Sequence, residues 1–164
     1  MTTKSLHQAR IERFMQGVGQ DVPASPSVPS EEVRVLRAKL ILEEALETVR
    51  AMGLDPLLTN QHGTADTIYI DDIDFDIQPD NIRIEEVIDG CCDLSVVTIG
   101  TLSAFGVPDA IFLEEIDCNN LSKVEGGYKR EDGKWMKPDD WQPPSIMNIL
   151  NHYWPNLFDV KDED

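Results

Sequence analysis

With 164 residues and 41% hydrophobic composition the chain can bury one ordinary core, and nothing in its length asks for a second domain. Its 31 acidic against 14 basic residues give a formal charge of -17, which repels nucleic acid and admits a small polyanion only where metal ions or local cations reverse the sign. Cys91, Cys92 and Cys118 form no CxxC and leave an odd thiol, which excludes a disulfide framework; with no apolar signal core and no apolar run of roughly 18 residues, the chain is expected in the cytoplasm, away from membranes.

Leu6, Ile11, Phe14 and Met15 predict a short first helix over residues 5–17, broken at Gly17 and Gly19. The proline- and serine-rich residues 22–30 read as an extended connection. Ser30 then caps a helix of about five turns, with Glu31 and Glu32 in its first turn, which runs to Ala51 and stops at Gly53. Between Leu54 and Asn81 the helical period vanishes. Ile73, Phe75 and Ile77 alternate with Asp72, Asp74 and Asp76, which predicts a strand paired with residues 67–70 in a small acidic β-hairpin insertion over residues 66–78. A long helix and a third core helix follow, so that the core helices of a single all-α domain span about residues 31–52, 82–106 and 109–123. Residues 124–164 form an irregular C-terminal arm: a hairpin about the Asp132-Gly133 turn, a proline-rich stretch, a short helix over 145–152 and a frayed acidic tail.

At about 100° per residue, Glu43, Glu44 and Glu47 prolong the apolar stripe of Val33, Leu36 and Leu40, whereas Arg34, Arg37 and Thr48 point elsewhere. An EExxE run by itself more often reads as a solvated face, here paired through Lys39 or Arg50. The next helix changes that balance. Val87, Ile88, Cys91, Cys92, Leu94, Val96, Val97, Ile99, Leu102 and Phe105 leave it no polar side, which predicts burial, with both cysteines in the core. Glu86, Asp89 and Asp93 share one arc of it, and no Lys, Arg or His lies between Ile84 and Ser122. Buried carboxylates do not stay charged without a partner, so they must be protonated, paired with distant arginines, or bound to a hard divalent cation. Acids from two helices outnumber the cations within reach, which favours the divalent ion, as in the carboxylate sites built across helix bundles.

The Asp72-x-Asp74-x-Asp76 run lacks the glycine and closing acid of a calcium loop, since Ile77 and Arg83 stand there, and reads as a charged hairpin face. His7, His62 and His152 show no ligand spacing. On the third core helix Asn119, Asn120 and Lys123 continue the stripe of Phe112 and Ile116. Lys123, Lys129, Arg130, Lys134 and Lys137 come in quick succession, a local reversal of charge sign that fits an exposed solubilising hairpin and a seat for phosphates equally.

The segments Glu43-Glu44-Ala45-Leu46-Glu47, Glu86-Val87-Ile88-Asp89 and Asn119-Asn120-Leu121-Ser122-Lys123, on successive helices, together resemble the all-alpha nucleoside triphosphate pyrophosphohydrolases. This is the MazG-like superfamily, which includes dimeric dUTPases and phosphoribosyl-ATP pyrophosphohydrolase. The Glu-Asp-Gly-Lys turn, Lys137-Pro138 and Trp141-Gln142-Pro143-Pro144 resemble a small bacterial and phage branch of it, and the likeness covers about residues 31–145. Two features depart from the pattern: the hairpin lengthens the gap between the acidic motifs, and Asp93 competes with Asp89 for the place of the final aspartate.

The resemblance implies a MazG-like helical bundle completed by self-association, as a homodimer or homotetramer, that hydrolyses a (deoxy)nucleoside triphosphate between its α and β phosphates to monophosphate and pyrophosphate. It implies two or more Mg²⁺, with Mn²⁺ able to substitute, on Glu44, Glu47, Glu86 and Asp89 with Asp93 assisting. Glu43, or Glu44 in exchange of roles, would orient the water as general base, and Asn120, Lys123 and Lys134 would meet the phosphates. The other readings are a narrow dUTPase-like or phosphoribosyl-ATP activity, and a non-catalytic divalent-cation-binding helical interaction module, which would not require Asn120 and Lys123 at their helical places.

Overall fold

The computed structural model describes residues 4–58, 68–131 and 133–158. In chain order its elements are α1 (Leu6–Gly17), α2 (Glu31–Ala51), β1 (Leu54–Leu58), β2 (Ile73–Ile77), α3 (Ile84–Ala104), α4 (Ala110–Ser122), β3 (Tyr128–Lys129), β4 (Trp135–Met136) and α5 (Ile146–Tyr153). Helices dominate, and the strands form two separate two-stranded antiparallel sheets. The chain divides into two compact units: Pro29–Thr101, and the two chain ends Met1–Val28 with Leu102–Asp164.

In the unit Pro29–Thr101, α2 begins where its sequence signals place it. Ser30 accepts from the Val33 amide at 3.4 Å, and the Glu32 carboxyl is held below its ordinary range by its own backbone N–H and the Ser30 hydroxyl. The helix ends at Gly53, whose φ of +75 suits glycine, and a Cβ there would lie 2.5 Å from the Gln78 carbonyl. Gln78 in turn donates to the Gly53 carbonyl at 2.7 Å, which ties the end of α2 to the foot of β2.

The hairpin differs from the expectation. The partner of β2 is β1, directly after α2, in the register Leu54↔Ile77, Pro56↔Phe75 and Leu58↔Ile73. Of the expected partner residues 67–70, Thr67 lies outside the described residues, Ile68 and Tyr69 are irregular, and Ile70 opens a 3₁₀ turn to Asp72. Pro56 disguised the true strand, because proline is excluded from central strands but tolerated in a two-stranded ribbon, where each strand is an edge. The pairing puts Leu54, Pro56, Leu58, Ile73, Phe75 and Ile77 on one face and Asp55, Leu57, Asp74 and Asp76 on the other.

The buried side of α2 is also rotated from the expected one. Arg37 (6% exposed) and Thr48 (3%) are its most buried polar residues, whereas Leu36 is exposed. Arg37 donates from Nε to Thr101 Oγ1 of α3 at 3.4 Å, and burial draws its guanidinium below the ordinary value. Thr48 donates to the Glu44 carbonyl at 2.7 Å and so hides its hydroxyl. It also faces Gly90 of α3, where a Cβ would stand 2.3 Å from Thr48 Oγ1, so glycine is what lets the helices meet. The contacts Arg37 to Thr101 and Thr48 to Gly90 step the same distance along both helices in opposite senses, so α2 and α3 run antiparallel.

The first half of α3 is not buried as its composition predicts. Ile84 (71%) and Ile88 (60%) are exposed, as are Cys91 and Cys92, which are therefore not core residues in the single chain; Val97 and Ile99 are buried. By length and mean hydropathy (1.4) α3 could cross a bilayer, yet Glu85, Glu86, Asp89 and Asp93 sit in its first half, where charge in hydrocarbon is costly, and it is a bundle helix on that ground.

The other unit is organised around a buried polar corner. Ser5 caps α1 by accepting from the Gln8 amide at 3.0 Å, and its own N–H donates to Asp109 Oδ1 at 2.7 Å while its hydroxyl donates to Oδ2. Gln8, fully buried, donates from Nε2 to Ser103 Oγ at 3.1 Å and to the Val107 carbonyl at 2.8 Å, and accepts from the Asp109 amide at 2.7 Å. These bonds fasten α1 to the turn between α3 and α4, beside the apolar core of Ile11, Met15, Ala104 and Phe112. The extended connection joins in where Ser27 donates to the Phe105 carbonyl at 3.0 Å.

Candidate functional site

In the unit Pro29–Thr101 the antiparallel pairing of α2 and α3 brings the two acidic motifs to the same level of the helix pair. Glu44 is half-buried at the centre, and its carboxyl titrates above its ordinary value, first because of burial and then because of Asp93, Glu47, Glu43 and Asp89. Asp93, the strongest of these neighbours, is half-buried as well, while Glu43, Glu47 and Asp89 are exposed. Among the described residues none of these five acids has an ion-pair partner. Glu86 stands apart. It pairs with Arg83 at 2.8 Å, both groups being largely exposed, so the nearest cation in sequence lies one residue before the stretch free of basic residues.

As the side chains stand, among the described residues no three His, Cys, Asp or Glu groups converge closely enough to hold a metal ion. The chemistry of the donor set nevertheless suits one. Hard oxygen donors crowded about Glu44, whose carboxyl is held above its ordinary value by burial and by these neighbours, with no cation beside them, are a donor set that a divalent ion stabilises. Glu44, Glu47, Asp89 and Asp93 would hold it, and Glu86 would join only by leaving Arg83.

In the other unit the end of α4 carries the predicted phosphate contacts. Lys123 donates from Nζ to Asn120 Oδ1 at 2.7 Å, the i to i+3 relation the sequence implied, and its carbonyl accepts from Trp135 Nε1 at 2.8 Å. Lys123 Nζ lies 5.2 Å from the ring centroid of Trp141, and Lys137 Nζ lies 3.9 Å from it. Lys134 stands exposed on the β3–β4 hairpin, where its carbonyl accepts from the Arg130 amide at 2.8 Å; the second ammonium on Trp141 belongs to Lys137. In the sequence Lys137 is one lysine of the basic stretch and Trp141 part of a Trp-x-Pro-Pro motif, neither with a role of its own. The only signal for either was the tryptophan itself among lysines, since an aromatic face attracts ammonium groups.

Thr48 and Gly90 were missed as well. Each lies inside or beside an acidic motif, but that they set the spacing of the two carboxylate rows emerges only from their contact.

A search of curated proteins returns no significant match. The family model for phosphoribosyl-ATP pyrophosphohydrolase matches residues 11–120, more than half of the chain, from within α1 to Asn120, a span that carries both acidic motifs. Acidic motifs on paired antiparallel helices, with Asn120 at the end of the next helix, thus agree with that match, and the chain belongs to the phosphoribosyl-ATP pyrophosphohydrolase family of the MazG-like nucleoside triphosphate pyrophosphohydrolase superfamily.

Proposed function

We propose that this pyrophosphohydrolase cleaves a (deoxy)nucleoside triphosphate at the α–β bond, with Mg²⁺, to give nucleoside monophosphate and pyrophosphate. The observation that carries this reading is Glu44, half-buried among Glu43, Glu47, Asp89 and Asp93 without a cation. Such a group of acids repels a polyphosphate by itself and receives one once its charge is offset. Bound divalent ions would supply that offset and Lewis acidity at phosphorus.

The chain's own residues do the rest. Glu44, Glu47, Asp89 and Asp93 fix the positions of charge, with Glu86 added on release from Arg83. Glu43, exposed beside them, accepts the proton of the attacking water, whose oxygen bonds to phosphorus as the bridging oxygen leaves with pyrophosphate. Asn120 and Lys123 stabilise negative charge on the phosphates, a role that Lys134 shares in the family reading.

Self-association belongs to the same proposal. Leu42 and Leu46 of α2 and Ile84 and Ile88 of α3 are exposed next to the acidic motifs, and a second copy would cover them, as a homodimer or homotetramer. Sedimentation analysis should give a single species of two or four chains; a monomer at micromolar concentration would refute this part.

A second reading is favoured by the family match itself: phosphoribosyl-ATP as the substrate. One experiment separates the two. Products from a panel of ribo- and deoxyribonucleoside triphosphates and phosphoribosyl-ATP are tracked by ³¹P NMR, with Mg²⁺ and with excess EDTA. Metal-dependent pyrophosphate from the triphosphates supports the main reading, and turnover of phosphoribosyl-ATP alone supports the second. Orthophosphate with a diphosphate refutes both.

A further inference from the structure

We propose that Trp141 gathers Lys123 and Lys137 into one two-ammonium seat for the far phosphates of the substrate's polyphosphate chain, with Lys137 as a direct contact and Trp141 as a positioning residue. This rests on the reading of Lys123 as a phosphate contact and extends it to two residues outside the acidic and Asn-Lys motifs.

Trp141 is held by its segment. Its amide donates to the Pro138 carbonyl at 3.1 Å in a turn, and Pro143 and Pro144 stiffen the backbone just beyond it. The segment is fastened to α4 at three places. Asn119 Nδ2 donates to the Gln142 carbonyl at 2.8 Å, Glu115 Oε1 accepts from the Ser145 amide at 2.6 Å, and the Lys123 carbonyl accepts from Trp135 at 2.8 Å. Glu115, Asn119 and Lys123 recur every fourth residue, so one face of α4 carries the whole clasp.

Two ammonium groups sharing one aromatic ring repel each other, and the ring's negative face offsets only part of that repulsion. Carboxylates are at hand, for Glu125 and Asp140 line a cleft of about 410 Å³ that Trp141 also borders. Yet among the described residues neither lysine forms an ion pair. Pairing two cations with an indole, in a chain of net charge -17, leaves both available to one multiply charged anion. The nearest hydrogen-bonding neighbour, Asn120, already orients Lys123.

The test uses the full chain and its variants Lys137→Met, Trp141→Phe and Trp141→Leu, with folding checked by circular dichroism. Inorganic tripolyphosphate is titrated in the presence of EDTA, where the acidic site can take no part, and binding is read by calorimetry. Lys137→Met and Trp141→Leu should each weaken binding about tenfold, although Trp141→Leu keeps both lysines, and Trp141→Phe should restore most of the loss. With substrate and Mg²⁺, KM should rise in the two weakened variants while kcat changes little. Unaltered tripolyphosphate affinity in Lys137→Met overturns the seat, as does a wild-type chain that does not bind tripolyphosphate under EDTA. If Trp141→Leu does not fold, Lys137→Met and Trp141→Phe decide. Hydrolysis that proceeds normally while the seat fails leaves the proposed function standing, and a seat that binds without any hydrolysis does the reverse.

Discussion

Two carboxylates withdrawn from water, Asp109 and Glu44, are treated in opposite ways by the fold. Asp109 is 1% exposed, and it accepts from both the amide and the hydroxyl of Ser5, while its own amide donates to Gln8. Glu44 is less buried, but its surroundings are other acids and its carboxyl titrates high. A buried acid whose donors come from its own chain is a structural bolt, because the fold supplies what water gave up. An acid whose neighbours are acids is held less ionised than in water, and under the proposed function an ion from outside the chain offsets that crowding. Under the proposed function the difference separates a residue that holds this protein together from those that work in it, and mutation can break or sharpen it.

The largest effect is expected on turnover. Glu47→Gln and Asp89→Asn should each lower hydrolysis by roughly 10²–10³-fold with an unchanged circular dichroism spectrum and no loss of melting temperature, since neither side chain is buried. Full activity in either purified variant would remove the carboxylate site. Asp109→Ala should reverse that profile. It strands the Ser5 amide and hydroxyl and should cost about 2–3 kcal/mol in urea unfolding, with residual activity per folded molecule near normal.

Next in size is the contact that brings the two acidic rows level. Gly90→Val would drive a side chain into Thr48 and should cost about 1–3 kcal/mol, whereas Gly17→Ala, with open space around it, should cost little. Equal stability of Gly90→Val and wild type would mean that the helices do not approach as described. The smallest effect has the opposite sign. Because its neighbours raise the Glu44 pKa, charging Glu44 opposes folding as pH rises out of the ordinary carboxylate range and through its own higher value. Glu44→Gln should therefore melt slightly higher than wild type at neutral pH without metal, lose that advantage in acid, where Glu44 is protonated, and lose activity. A lower melting temperature at neutral pH would show that the acids around Glu44 do not burden the fold.

Much of this was legible in the residues. The 3.6-residue period, Ser30 and Gly53 delimit α2, and the resemblance placed Asn120 and Lys123 one helical turn apart, where they are hydrogen-bonded. Local rules suffice for these because caps, periods and i to i+3 neighbours depend on a few adjacent residues. Strand pairing was not legible at Pro56, nor the rotation of α2 that buries Arg37 and Thr48. Both depend on what a distant segment offers: Phe75 opposite the proline, Thr101 as acceptor for the guanidinium, and a glycine at position 90 that leaves room for a threonine.

The sequence by itself determined the helical elements, the two rows of acids, and the family to which they belong. Tertiary structure alone decided which acids crowd Glu44, that Glu86 pairs with Arg83, that Lys123 and Lys137 meet at the Trp141 ring, and that Asp109 is a bolt. Residue type and spacing specify what a side chain can do, but whether a charge meets a donor, an aromatic face or another charge is settled by residues far away in the chain that folding brings beside it.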